Sequence, residues 1–343
     1  MVNYPAGTTT MAEPVALEGS GTSFTDLGGI RGRRVSDRAM IARVDGRPTK
    51  QREVRTRIVD STRWAELSLR PSDIIVASWG KSGTTLTVQM VSQLTSRGAA
   101  GMGAKAPWVE ALPFAPKERM LAAVASLPDP RLLKTHLPFD ALVFAAEARY
   151  LYVARDPRDV VWSAHNHHVS LSASSIEAFN HTGGEGPPIL PCTASVREYY
   201  LHWLEHDELP GFTLNEPFWP HVRGWWEQRH RPNVLLLHHA RMTADPAAEM
   251  RRIAAFLGIE IDEGIFPAML AHCGIGYMRE HAAGLPAFTR IFAQGAASFF
   301  HSGTNGRWRD VLTAEEIERC DARAARELSP ECAHWLRTGE RPD

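Results

Sequence analysis

The run Asp73-Ile74-Ile75-Val76-Ala77-Ser78-Trp79-Gly80-Lys81-Ser82-Gly83-Thr84-Thr85 decides the fold. Its first part is apolar and β-branched, and after it Leu86, Met90, Val91 and Leu94 fall at helical spacing. That pattern predicts strand, tight turn, helix. Gly80 and Gly83 open backbone conformations closed to other residues. The first turn of a helix leaves N–H groups unpaired, and the helix dipole favours an anion there. Lys81 adds a full positive charge, and Ser82, Thr84 and Thr85 add hydroxyl donors. Such a turn suits a phosphate or sulfate group. Gly80-Lys81-Ser82 matches the end of the Walker A pattern, but the opening glycine of that pattern falls on Ile75, inside the strand. The loop reads either as a phosphate loop one turn shorter than Walker A or as a Gly/Ser/Thr turn with a solvated lysine.

Further strands are expected at 131–135, 149–154 and 234–238, where apolar runs recur. Between them lie a helix from Pro116 to Ser126 and one opened by Pro157, and after the last comes one from Asp245-Pro246 to Leu257, closed by Gly258. Strands alternating with helices indicate a parallel sheet covered on both faces. Residues 170–220 break the pattern with Gly183-Gly184, Pro187-Pro188 and Pro191. A long irregular insert of this kind is expected to serve as a lid or specificity loop. Residues 1–55 are expected to be a poorly ordered or arm-like segment, and 56–343 the folded domain. The arginines at 31, 33, 34, 38, 43, 47, 52, 55 and 57 form either a solvated face or a contact for an anion or partner.

Composition bounds the function. The chain has 343 residues and a formal charge of −1, which argues against bulk electrostatic binding to nucleic acid or membrane. Cys192, Cys273, Cys320 and Cys332 show no C-x-x-C spacing, hence neither a disulfide framework nor a zinc signature. No stretch reaches the roughly 18 apolar residues that span a bilayer, and no apolar signal core opens the chain. A cytoplasmic setting is the expectation.

The ends of the strands in such a sheet carry the active site. Lys134-Thr135-His136-Leu137-Pro138 puts a lysine and a histidine just past one strand. Arg155 ends another, and Ser163 lies two turns into the next helix, where both can hold a second phosphate. Arg158 and Asp159 are expected to form a surface pair. Gly303-Thr304-Asn305-Gly306-Arg307-Trp308-Arg309 either covers an anion or is an ordinary loop before the helix capped at Thr313-Ala314-Glu315-Glu316. Trp108, Phe114, Phe139, His165, Phe179 and Trp219 are candidates for an acceptor pocket, or for plain core packing.

Together these residues resemble a known family, the cytosolic-type sulfotransferases that use 3′-phosphoadenosine 5′-phosphosulfate (PAPS). Lys81-Ser82-Gly83-Thr84-Thr85 is similar to the loop that binds the 5′-phosphosulfate. Lys134-Thr135-His136-Leu137-Pro138 resembles the segment with the catalytic histidine, and Tyr152 to Val160 with Ser163 looks like the 3′-phosphate motif. Gly303-x-x-Gly306-x-Trp308-Arg309 is similar to the family's C-terminal Gly-x-x-Gly-x-Trp-Lys element. The likeness spans roughly residues 55–340. It implies a three-layer α/β domain with a central parallel sheet, related to the P-loop nucleotide kinases. The chain departs from the family at four points. Trp79-Gly80 stands where proline usually opens the loop, and Leu86 where a tryptophan stacks on adenine. His301-Ser302-Gly303 replaces the Arg-Lys-Gly of animal members, and His238 or His239 replaces a tyrosine.

The resemblance implies in-line sulfuryl transfer from PAPS to a hydroxyl, or an amine, of a small-molecule acceptor, without a metal. His136 is then the general base, Lys81 stabilises the leaving oxygen, and Lys134 meets the sulfuryl oxygens. Ser82, Gly83, Thr84, Thr85, Arg155, Ser163, Gly303 and Arg307 bind the nucleotide, and Trp108, Phe139 and His165 face the acceptor. Ser163 is also expected to restrain Lys81. The family's dimer motif is degraded in Arg309…Thr313-Ala314…Glu318, which leaves a homodimer open. An ATP-dependent kinase or a non-catalytic nucleotide-binding protein are the alternative readings.

Overall fold

The computed structural model describes residues 50–340 except 103–105, 213–215 and 301–302, together with the strand pair at 43–44 and 47–48. The rest of the N-terminal segment, the side chains of its arginines up to Arg47, and His301-Ser302 lie outside the described residues. Four short apolar runs form the central sheet: β1 (Ile74–Ala77), β2 (Leu132–Thr135), β3 (Arg149–Ala154) and β4 (Val234–His238). The order is β2-β1-β3-β4 and every pair is parallel.

Successive side chains on a strand point to opposite faces. Ile75, Leu133, Tyr150 and Tyr152 therefore join one core, where Tyr152 stacks on Trp225 with ring centroids 5.1 Å apart. Ile74, Val76, Leu151, Val153 and Leu237 join the other. There they meet Val88, Met90, Val91 and Leu94 of α1 (Thr84–Thr95) and Met250, Ile253 and Ala254 of the helix Pro246–Leu257. A sheet buried on both faces explains why its strands read as unbroken apolar runs. At its amino end, buried Arg131 grips Asp73 through two hydrogen bonds of 2.7 and 2.6 Å.

The register decides where chemistry gathers. Ala77 lies beside Thr135 and Tyr152, and Ala154 beside His238. All four carboxyl ends thus leave the sheet along one edge. The loops at 78–83, 136–138, 155–156 and 239 start there.

Three expectations need correction. The stretch 170–220 is not irregular throughout: it holds the helices Ala173–Asn180 and Val196–His206. Ser195 and Glu198 cap the second reciprocally, a capping box. Arg158 and Asp159 are not a surface pair, being 3% and 5% exposed. Arg158 forks onto Asp156 and lies over the Trp308 ring at 4.2 Å, while Asp159 accepts a hydrogen bond from the Gly306 amide. The packed body also begins before residue 56, since Val54 is buried and its amide donates to Ser61 Oγ at 2.9 Å.

Candidate active site

A cavity of about 510 Å³ opens at the carboxyl edge of the sheet, and its walls come from all four strand ends. The loop after β1 sets the first wall. Gly83 has φ 117°, and a Cβ there would come within 2.8 Å of His239 Cδ2. Only glycine brings the loop this close to the end of β4. Lys81 also sits in the left-handed region, at φ 72°, where residues with a side chain are uncommon. Its Nζ lies 3.2 Å from His167 Nδ1 and 4.2 Å from the centre of the Phe299 ring. Burial, with Arg155 and Lys134 nearby, pushes Lys81 down to about 7. Burial pushes Lys134 down to about 8 against the pull of Glu110. An anion bound between the two would restore both charges.

His136 follows β2. Its Nδ1 lies 2.9 Å from the Ser78 carbonyl oxygen, which can only accept a hydrogen bond. Ser78 Oγ, able to donate or accept, lies 3.2 Å from the same nitrogen; the shorter contact to the carbonyl favours the tautomer with the proton on Nδ1, which leaves Nε2 as the basic nitrogen. The Trp108 ring meets the imidazole edge-on, with centroids 4.8 Å apart. Burial, then the Lys134 charge, hold His136 down to about 3, so the ring is neutral at physiological pH.

The opposite wall comes from β3 and the loop 303–307. Arg155 Nε donates to Asn305 Oδ1 at 2.9 Å, and its Nη2 donates to the Thr304 carbonyl at 3.2 Å. Asn305 Oδ1 also lies 3.2 Å from His239 Nδ1, which ties the ends of β3 and β4 to this loop. Gly303 has φ 68°, and a Cβ there would come within 2.8 Å of Ile275 Cδ1. Much of the remaining lining is aromatic or aliphatic, including Phe114, Phe179, Phe212, Phe288 and Phe292, with Asn166, Thr243 and Ser298 among the polar exceptions.

Of the residues singled out from sequence, Lys81, Gly83, Thr84, Thr85, Trp108, Lys134, His136, Arg155, Ser163, Gly303 and Arg307 line this one cavity. Ser82, Phe139, His165 and Trp219 do not, and Trp219 is fully buried against Trp203 and Phe218. Ser82 is buried; Phe139 packs against Phe144 and Trp225; His165 Nε2 meets the Ala194 carbonyl at 3.0 Å. The residue that meets Lys81 is His167 rather than Ser163. Sequence reasoning misses His167, although it stands four positions after Ser163 on one helix face. It also misses Phe299 and, beneath His136, the fully buried Glu110. No local pattern marks Glu110, because most of its partners lie 25 to 46 residues away. Among the described residues, no group of His, Cys, Asp and Glu is arranged to hold a metal ion, and no helix is long and apolar enough to cross a membrane.

A parallel α/β sheet with a phosphate loop and a histidine at its carboxyl edge defines a class of nucleotide-using transferases. The sulfotransferase domain model matches residues 71–330, and the chain belongs to that family. A glycolipid sulfotransferase of Mycobacterium bovis (strain BCG / Pasteur 1173P2) is 28% identical over 316 residues, covering 84% of this chain and 94% of the relative. Human sulfotransferase 1C2 is 25% identical over 275 residues, covering 75% and 84%. Two solved structures share the fold. Retinol dehydratase in complex with androsterone and the inactive cofactor PAP matches with TM-score 0.61 and 20% identity, over 79% of this chain and 84% of that one. A mouse sulfotransferase complexed with PAP matches with TM-score 0.62 and 18% identity, over 80% and 90%.

Proposed function

We propose that this sulfotransferase moves a sulfuryl group from PAPS to the hydroxyl of a small, largely apolar acceptor, with His136 as general base. One observation carries the reading: Lys81, Lys134, Arg155 and Arg307 converge on a single cavity with a neutral histidine whose Nε2 is free of its proton. PAPS fits this donor set. Burial, and then neighbouring positive charge, depresses the protonation of Lys81 and Arg155, which an anion relieves, and the close approaches at Gly83 and Gly303 leave backbone where a side chain would intrude. When bound, PAPS supplies an activated sulfuryl group and, after transfer, leaves as PAP, the molecule held by the two structural neighbours.

The residues then divide the work. His136 Nε2 takes the acceptor's proton as its oxygen attacks sulfur, and the Ser78 carbonyl holds the ring in the required tautomer. Lys81 and the first turn of α1 stabilise charge on the bridging oxygen of the leaving phosphate. Lys134 meets the sulfuryl oxygens. Arg155, Ser163, Arg307 and the loop 303–306 hold the second phosphate on the far wall. The phenylalanine-rich wall suits an apolar acceptor; androsterone is the ligand in one neighbour and retinol, with PAP, in another structure of the same fold.

Replacing Arg155 tests the assignment of the far wall. A charged hydrogen bond of this kind contributes about 1.5–3 kcal/mol, so Arg155→Ala should raise KM for PAPS about 10- to 100-fold. Contacts made equally in ground and transition states leave turnover nearly unchanged. Steady-state kinetics at varied PAPS decides it: an unchanged KM with collapsed kcat would place Arg155 in the chemistry instead.

A further inference from the structure

We propose that Glu110 is a positioning residue for the transfer, holding the His136 backbone and the Trp108 ring so that Nε2 stays aimed at the acceptor. This rests on the reading of His136 as base. The carboxylate is fully buried and sits at a node of four donors. Oε1 accepts from the His136 amide at 2.6 Å, from Trp108 Nε1 at 2.6 Å and from Thr135 Oγ1 at 3.0 Å. Oε2 accepts from Trp64 Nε1 at 2.8 Å. All four are neutral groups that act as donors to it: two indoles, an amide and a hydroxyl. The two indoles and the amide can only donate, so a protonated carboxyl could turn its hydrogen only onto the Thr135 hydroxyl, whereas the anion accepts from all four. Burial raises the group's affinity for a proton above that of a free carboxyl, and these hydrogen bonds offset only part of that rise.

Such a node does more than fill space. The His136 amide is fixed by Glu110, the ring nitrogen Nδ1 by the Ser78 carbonyl, and the ring face by Trp108, itself bonded to Glu110. Three constraints thus orient one imidazole, and two pass through Glu110. The same anion also raises the proton affinity of the neighbouring Lys134. A purely structural carboxylate would need none of this alignment with the base.

The test uses the full chain with Glu110→Gln and with Trp64→Phe. Trp64 stands outside the cavity lining, and its indole N–H donates to the Glu110 carboxylate. Removing that N–H therefore loosens Glu110 without touching acceptor or nucleotide. Glu110→Gln should lower kcat about 10- to 100-fold, the scale of a displacement of about an ångström, with Trp64→Phe falling between it and wild type. KM values and PAP affinity should change by less than about threefold. The alkaline limb of kcat should move to lower pH in Glu110→Gln, because Lys134 loses its counter-charge while Lys81, His136 and His167 still face it. Nitrogen-15 NMR of His136 in the PAP complex reads the ring independently of turnover. Wild type should show one Nδ1–H tautomer, and both variants an averaged ring. If Glu110→Gln fails to fold, Trp64→Phe decides by the same readings. Wild-type kcat, pH profile and tautomer in the folded variants would overturn the proposal. An ordered wild-type tautomer loosened in both variants, in a protein that transfers nothing from PAPS, would support the positioning while overturning the proposed reaction.

Discussion

Replacing His136 by alanine is expected to lower turnover by about 10²–10⁴-fold, or ~3–5 kcal/mol of transition-state stabilisation. A neutral alcohol attacks sulfur poorly unless its proton is taken as the new bond forms. His136 has the right nitrogen for this, because the Ser78 carbonyl claims the proton at Nδ1. Burial and the Lys134 charge keep the ring neutral, so no loss of activity from protonating this histidine is expected between pH 6 and 8. PAP binding should survive the substitution, since the nucleotide is assigned to Lys81, the α1 terminus and Arg155. The loss should shrink along a series of increasingly acidic phenols, which ionise without help. Kinetics across that series, with a PAP titration, gives the answer. Wild-type turnover on the least acidic acceptor would remove His136 from the role of base, and lost PAP affinity would make it a structural residue.

Lys81→Met should lower kcat by about 10²–10³-fold, the usual cost of removing a donor aimed at developing negative charge. The methionine keeps an apolar side chain of similar length but loses the ammonium that lies over the Phe299 ring. A pH signature accompanies it. In the empty site Lys81 is pushed down to about 7 and Lys134 to about 8, yet an anion binds best when both are charged. Wild-type affinity for PAP should therefore fall as pH rises above 7, and fall more steeply above 8. The variant should lose the first part of that decline and keep the second. Calorimetric titrations of PAP from pH 6.5 to 9 resolve the two. Unchanged kcat with the wild-type pH dependence would assign the leaving-group charge to other residues.

Much of the scaffold is legible because its strands are buried on both faces. Ile74 to Ala77, Arg149 to Ala154 and Val234 to His238 are largely apolar runs, and the observed bounds fall on them. The phosphate loop is legible for a different reason: glycine, lysine and hydroxyl residues are needed within a few positions of one another. The insert is harder to read. Its Ser195-x-x-Glu198 capping box is visible in the sequence, but the prolines and glycines around it suggest irregular chain. Burial of Arg158 and Asp159 depends on Trp308 and Gly306, about 150 residues away, and no local spacing reports such contacts. Glu110 is the extreme case. A lone glutamate two positions after a tryptophan reads as a surface charge until the fold brings Trp64, Thr135 and His136 around it.

The departures from the family pattern also find partners in space. His239, near the position of an expected tyrosine, closes against Gly83 and Asn305 at the edge of the cavity. Leu86, where the family carries a tryptophan, lines the same cavity together with Leu270, Ile275 and Met278. An aliphatic wall thus stands where the family places an aromatic face.

Thermal unfolding with PAP, set beside the same experiment with ATP and magnesium, tests the central claim most directly. On the proposed reading, Lys81 on one wall and Arg155 with Ser163 on the other meet two separate phosphates. PAP at roughly 100 times its dissociation constant should add about 2.7 kcal/mol to stability and shift the melt well beyond any effect of ATP. A larger shift with ATP and magnesium, and none with PAP, would contradict the assignment and point to phosphoryl rather than sulfuryl transfer.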